Sequence, residues 1–257
     1  MTTQRENENS DTPEYELLPT QTDADDNPTP PPMVSEDMEE NRQGDTMARH
    51  AALIFSSIVV AVTWTITLTS RPSGWFALHP PLQSLALLLF TFGIITLQPT
   101  NKPKTKAAGL ARHQIFVLLL AFPVMIFGTF AAWYHKFLRD AHHFKSWHGI
   151  IGVISMLWLI FQVILGGGSV WYGGWLFGGD MKAKALWKFH RLSGYLLFPV
   201  LLFTAHLGGA WSSWGAKHTI WIIRFVAYTI APLGVLIGVY TRIRFVFEFE
   251  QAVPKID

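Results

Sequence analysis

Residues 145–167 read KSWHGIIGVISMLWLIFQVILGG: a basic and aromatic approach, then His148, then an almost unbroken apolar run long enough to cross a bilayer as a helix. An imidazole at the mouth of such a run needs a reason, and the search for it organises the rest of the chain. Half of the 257 residues are hydrophobic and 15% are charged, which is more apolar than soluble chains of this length usually are. Thirteen of the eighteen acidic residues precede Thr46, so the chain has two unlike parts.

The first part, residues 1–46, is rich in Pro, Thr, Asn and acid and poor in apolar residues. It cannot bury enough surface to offset the entropy of ordering and is expected to be a disordered tail. It lacks the basic and apolar regions of a cleavable signal peptide, so the first spanning segment is expected to target the chain. Tyr15-Glu16-Leu17-Leu18 has the YxxΦ pattern of a sorting signal, although so short a pattern often arises by chance. The sequence contains no cysteine, which excludes disulfides, thiolate metal sites, iron–sulfur clusters and covalent haem attachment. Any metal or haem must therefore be held without a thiolate ligand.

Six apolar stretches follow, at about 50–69, 79–98, 113–134, 148–167, 192–211 and 219–241. They predict an all-α membrane protein, a six-transmembrane helix bundle over residues 47–245 with a short tail at 246–257. Arg71-Pro72-Ser73-Gly74, Pro99 to Pro103, Gly166-Gly167-Gly168 and Gly173-Gly174 supply breaks between spans. Pro80 and Pro81 fall where a missing N–H costs nothing, whereas Pro123, Pro199 and Pro232 lie inside spans and predict kinks.

Lys102, Lys104, Lys106 and Arg112 precede span three, Lys182, Lys184, Lys188 and Arg191 precede span five, and Arg242 and Arg244 follow span six. By the positive-inside rule these ends, and both termini, are cytoplasmic. The opposite loop is not bare, since it carries Lys136, Arg139 and Lys145.

On this map His79 opens span two and His148 opens span four, at the outer face. His113 opens span three and His190 lies just before span five, at the inner face. Two neutral imidazoles facing each other across a bundle can clamp a haem, and two such pairs would stack two haems through the membrane. With ligands about one turn inside a core of about 30 Å, the irons would be on the order of 20 Å apart. His50, His135, His206 and His218 are read as ordinary interfacial residues, as any single histidine here would be.

The local residues add a resemblance. Phe76-Ala77-Leu78-His79-Pro80, His143-Phe144-Lys145-Ser146-Trp147-His148-Gly149, Leu110-Ala111-Arg112-His113 and Lys188-Phe189-His190-Arg191-Leu192-Ser193-Gly194-Tyr195 resemble the starts of helices two to five of the cytochrome b561 family, each motif matching its own helix. The resemblance covers about 50–245 and is closest to short members without an extracellular domain. It implies two non-covalent haems b, one ligated by His79 and His148 and the other by His113 and His190. It also implies that cytoplasmic ascorbate reduces the inner haem and that the outer one reduces a ferric chelate or monodehydroascorbate. Lys106, Arg112, Lys184, Lys188 and Arg191 then form a basic inner mouth for ascorbate or haem propionates. His143 is similar to a family histidine at the outer substrate site, with Lys145 beside it. Gly149, Gly152 and Gly194 would let a macrocycle approach the backbone, or simply let helices pack.

Two details depart from the family: Arg112 stands next to His113, shifted from the family's basic residue, and Pro81-Leu82-Gln83 stand after His79-Pro80 where many members carry a methionine. An endomembrane location (endoplasmic reticulum, vesicle or vacuole) is expected rather than the plasma membrane, with no nucleic-acid partner. A homodimer through the lipid face is left open. Two other classes also stay open. A histidine-lined transporter would want acidic partners within its spans, and after Asp45 only Asp140, Asp180, Glu248, Glu250 and Asp257 remain, all outside them. A non-redox membrane adaptor would need no histidine constellation.

Overall fold

An apolar run in lipid must satisfy its own backbone polar groups, and a helix does so within one segment. The computed structural model describes residues 44–97 and 103–243, which contain helices and no strand. Six helices are long and apolar enough to cross a membrane: Asp45–Ser70, Gly74–Ile95, Lys104–Leu138, Trp147–Phe177, Met181–Ala210 and Trp221–Tyr240. This is the expected six-span, all-α membrane architecture. Residues 1–43, with the Tyr15 motif, and Lys102, Arg244 and the tail from 246 lie outside the described residues.

α1 (Asp45–Ser70) begins before the expected start at 50. Asp45 is buried, and Arg242 at the far end of the chain donates to its carbonyl at 2.6 Å. Thr65, Thr67 and Thr69 each return their hydroxyl to the carbonyl four residues back, so α1 carries polar side chains without exposing unpaired groups to lipid. A 3₁₀ turn (Gly74–Leu78) leads into α2 (His79–Ile95), with proline in its first turn as expected.

The third span is α3 (Pro103–His113), a π-helical stretch (Gln114–Ala121) and α4 (Phe122–Leu138). The fourth is α5 (Trp147–Val170) with a 3₁₀ extension (Trp171–Phe177), and the fifth is α6 (Asp180–Ala210). After the short α7 (Ser213–His218), the last span is α8 (Trp221–Phe225), a second π-helical stretch (Val226–Ile230) and α9 (Ala231–Tyr240). Both π stretches lie just ahead of a proline, Pro123 and Pro232, where a widened turn relieves the clash of the ring with the preceding turn. Pro199 sits within α6, which continues through it.

One expected break is corrected. Gly166, Gly167 and Gly168 are helical residues of α5, and the chain turns later, at Tyr172, Gly173 and Gly174, which have φ of 51°, 65° and 77°. These three helical glycines serve close packing, because a Cβ on each would press on the rings or side chains of His190, Trp171 and Leu176.

α5 packs along α6, α2 along α4, and α1 along both α2 and α9. Leu87, Phe90, Met125, Leu159, Leu201 and Val235 belong to the shared core. His79 is the first residue of α2 and His148 the second of α5. His113 and His190, expected near helix starts, instead lie ten residues inside α3 and α6. Those helices run about 15 Å past their histidine at 1.5 Å per residue. The polar, basic approaches are helical, which an apolar-run criterion does not detect.

Candidate functional site

The Ser146 side chain caps α5 by accepting from the Gly149 amide at 3.2 Å, which fixes His148 in the first turn. Its ring faces that of His79 at 5.9 Å between centroids with planes 76° apart, and His113 faces His190 at 6.3 Å and 83°. The structure therefore brings together the four histidines singled out in the sequence, as two pairs. His79 Nδ1 lies 2.9 Å from the Gly128 carbonyl, His148 Nδ1 2.9 Å from that of Thr204, and His113 Nδ1 3.3 Å from that of Gly93. A carbonyl can only accept, so each of these Nδ1 atoms carries the proton and Nε2 keeps its lone pair for the space between the rings. His190 Nδ1 lies toward the Gln162 carbonyl but does not close a hydrogen bond.

These contacts expose a repeat that sequence reading missed. In α5, His148 is followed by Gly152, Gln162 and Gly166, and in α6, His190 is followed at the same intervals by Gly194, Thr204 and Gly208. The helices are antiparallel, so each repeat presents a backbone carbonyl (Gln162 or Thr204) to the other's histidine. Each also presents a glycine: a Cβ on Gly166 would lie 2.6 Å from the His190 ring, and one on Gly208 2.7 Å from that of His148. α2 and the third span follow the same plan, with Gly93 fourteen residues after His79 and Gly128 fifteen after His113. The extra residue falls where the π-helical stretch winds one more residue into the span, and so Gly128 still reaches His79. Fourteen residues at 1.5 Å separate the two pairs by about 21 Å along the helices, in line with the estimate from span positions alone.

Around the His79 pair, Phe76 stacks on His79 at 6.0 Å and contacts His135 at 5.9 Å and Trp214 at 6.2 Å. His135, passed over in the sequence, is thus the histidine beside this pair. His143 instead packs on Trp133 and Phe144, and Lys145 is exposed. Gln83, one turn beyond His79, donates to the Met125 carbonyl at 3.0 Å and to Thr129 at 2.9 Å, which ties α2 to α4. His206 repeats the Nδ1-to-carbonyl contact, to Tyr228 at 2.8 Å, but its Nε2 accepts from Trp211 at 2.9 Å, so it is a structural bridge with no free nitrogen.

At the other end Lys106, Lys184, Lys188 and Arg191 are exposed on α3 and α6, and Lys188 lies over the Phe189 ring at 5.2 Å. Arg112 turns back to donate to the Thr96 carbonyl at the end of α2, at 3.4 Å. At Gly152 and Gly194 a Cβ would make only ordinary van der Waals contact, with Thr204 at 3.6 Å and Gln162 at 3.8 Å.

The donor set decides what such pairs suit. Among the described residues no three or more His, Cys, Asp or Glu gather to hold a bare metal ion. Two opposed imidazoles suit an iron whose remaining four positions come with it, as in a haem. A metal–nitrogen bond of about 2 Å, with roughly 1.1 Å from nitrogen to ring centre, puts such rings about 6 Å apart, the spacing seen in both pairs.

Six spanning helices with a histidine pair near each end are an arrangement that suits a transmembrane haem protein. The chain belongs to the eukaryotic cytochrome b561 family, whose model matches residues 78–215, more than half of the sequence and all four paired histidines. Membership makes it an integral, multi-pass membrane oxidoreductase of a haem b-binding family that carries electrons across the membrane. No individually curated protein matches the chain.

Proposed function

We propose that the protein carries electrons from cytoplasmic ascorbate to a ferric chelate or monodehydroascorbate on the other side of an endomembrane, using two haems b held by His113 with His190 and by His79 with His148. Each haem supplies a one-electron carrier, and the chain's own residues do the rest. The carbonyls of Gly93, Gly128 and Thr204 hold three of the imidazoles in the ligating tautomer. Lys106, Lys184, Lys188 and Arg191 attract the ascorbate monoanion to the His113 end. Arg112 contributes charge there while capping α2. At the His79 end Lys145 and His143 meet an anionic acceptor, on a loop whose one acid is Asp140.

The observation that carries this reading is the pair of facing imidazole couples, 5.9 and 6.3 Å between rings, with three of the four outer nitrogens tied to backbone carbonyls. The test is the absorbance spectrum of the detergent-purified protein before and after adding ascorbate. Sharp reduced b-haem bands appearing on addition are the expected result. A protein that stays colourless when expressed with excess haem would overturn the reading and favour a transporter or an adaptor.

A further inference from the structure

Gln162 is 5% exposed in the middle of α5, and neither its amide oxygen nor its nitrogen has a hydrogen-bond partner among the described residues. Such a group is rare inside a protein and calls for a partner of another kind. Gln83, the comparable glutamine of α2, uses its amide twice, and Thr204, the repeat mate of Gln162, donates to the Val200 carbonyl at 2.8 Å. Gln162 therefore differs from its counterparts by being uncommitted.

Its position narrows what the partner is. The Gln162 carbonyl is the one presented to His190, so its Cα stands level with the His113–His190 pair. Helical side chains lean toward the N-terminus of their helix, which carries this amide toward the centre of the bundle. There it meets Gly194, one turn past His190 on the same helix, where a Cβ would still lie 3.8 Å from Gln162 Nε2. The amide thus stands against the side-chain-free face of Gly194, beside this histidine pair and without a hydrogen-bond partner among the described residues.

We propose that the Gln162 side chain is a polar contact of the haem held by His113 and His190 and lowers its reduction potential; this rests on the haem reading above. An amide that no protein group locks can turn its dipole toward whichever charge is present. The ferric haem carries one more positive charge than the ferrous, so a free amide stabilises the ferric form more. The hydroxyl of Thr204, at the other pair, is committed and responds less. Gln162 sets an energy level by direct contact and exchanges neither electron nor proton.

The test uses the full chain with both haems, comparing wild type with Q162L, Q162M and Q162E by haem content and by redox titration of absorbance. The component belonging to the His113 pair is assigned in the His148→Ala background. In Q162L that component is expected to become about tenfold easier to reduce, a shift of about 59 mV for one electron. The other component stays in place, and Q162E moves the same component down. Full haem content with both components unmoved in Q162L and Q162E would overturn the proposal. If Q162L loses haem, Q162M decides: an upward shift of the one component supports the proposal and no shift overturns it. A wild-type protein without haem would sink the haem reading itself, a result distinct from any of these.

Discussion

The two ends of the bundle hold their histidines alike and differ in what leads to them. At the His79 end both imidazoles stand in the first turn of their helices, behind an aromatic layer of Phe76, Trp214 and His135. At the His113 end both stand ten residues in, between helical walls carrying exposed Lys106, Lys184 and Lys188. One clamp therefore serves at two depths, and its parts (a carbonyl across the helix pair and a glycine under the ring) do not depend on being near water. The two approaches suit different roles, since a basic vestibule collects an anion from solution and a thin aromatic cover favours short-range exchange.

The comparison breaks first if the clamps are not independent. His148→Ala and His113→Ala are each expected to lose about half of the bound haem, read as haem per protein by pyridine haemochromogen, because each variant would remove one of the two imidazoles proposed to hold one haem. Loss of all haem in either variant would mean that the ends fold as one unit. Next in size is insertion of one alanine after Leu118 within the π-helical stretch. That stretch already takes up the one extra residue that keeps Gly128 in register, so another turns Gly128 by about 100° about the helix axis, away from His79. The haem lost should be that of the His79 pair, although the insertion lies near His113. Gly166→Val and Gly208→Val come third, since a side chain at 2.6 or 2.7 Å from a ligand ring must displace it. Each should lower haem occupancy partially and only at its own end, resolved by redox titration. The smallest effect is expected from Thr63→Val, which removes the 2.9 Å hydrogen bond to Tyr228 between the first and last spans. It should cost about 0.6 kcal/mol in thermal or denaturant unfolding and leave both haem signals unchanged.

Much of this was legible in the sequence, for physical reasons that can be named. Apolar length reports spans, and histidines at fixed places among them report pairs, so the six-helix fold and the four paired residues followed from position alone. The inner helices were read short because Lys182, Lys184 and Lys188 look like loop residues to a hydropathy criterion, although helical backbone accepts them readily. The spacing of His148, Gly152 and Gly166 against His190, Gly194 and Gly208 was present in the letters. It becomes meaningful only once the two helices are known to run antiparallel in contact. The π-helical stretch leaves no composition signal, and it shows itself as one residue too many between His113 and Gly128. The placement of His135 rather than His143 beside Phe76 depends on how α4 ends, which no local pattern determines.

The contact between Arg242 and the Asp45 carbonyl joins residues 197 apart, and α1 shares one of its two long seams with α9, where Phe55 lies against Gly234 and Ala52 against Gly238. In the order of synthesis this makes the first helix to enter the membrane wait for the last. The segment from Leu78 to Gly215 can close around its histidines while α1 is still half-partnered. A nascent chain that stops short of Trp221–Tyr240 would therefore already have its four paired histidines while α1 is fastened along α2 without its α9 seam.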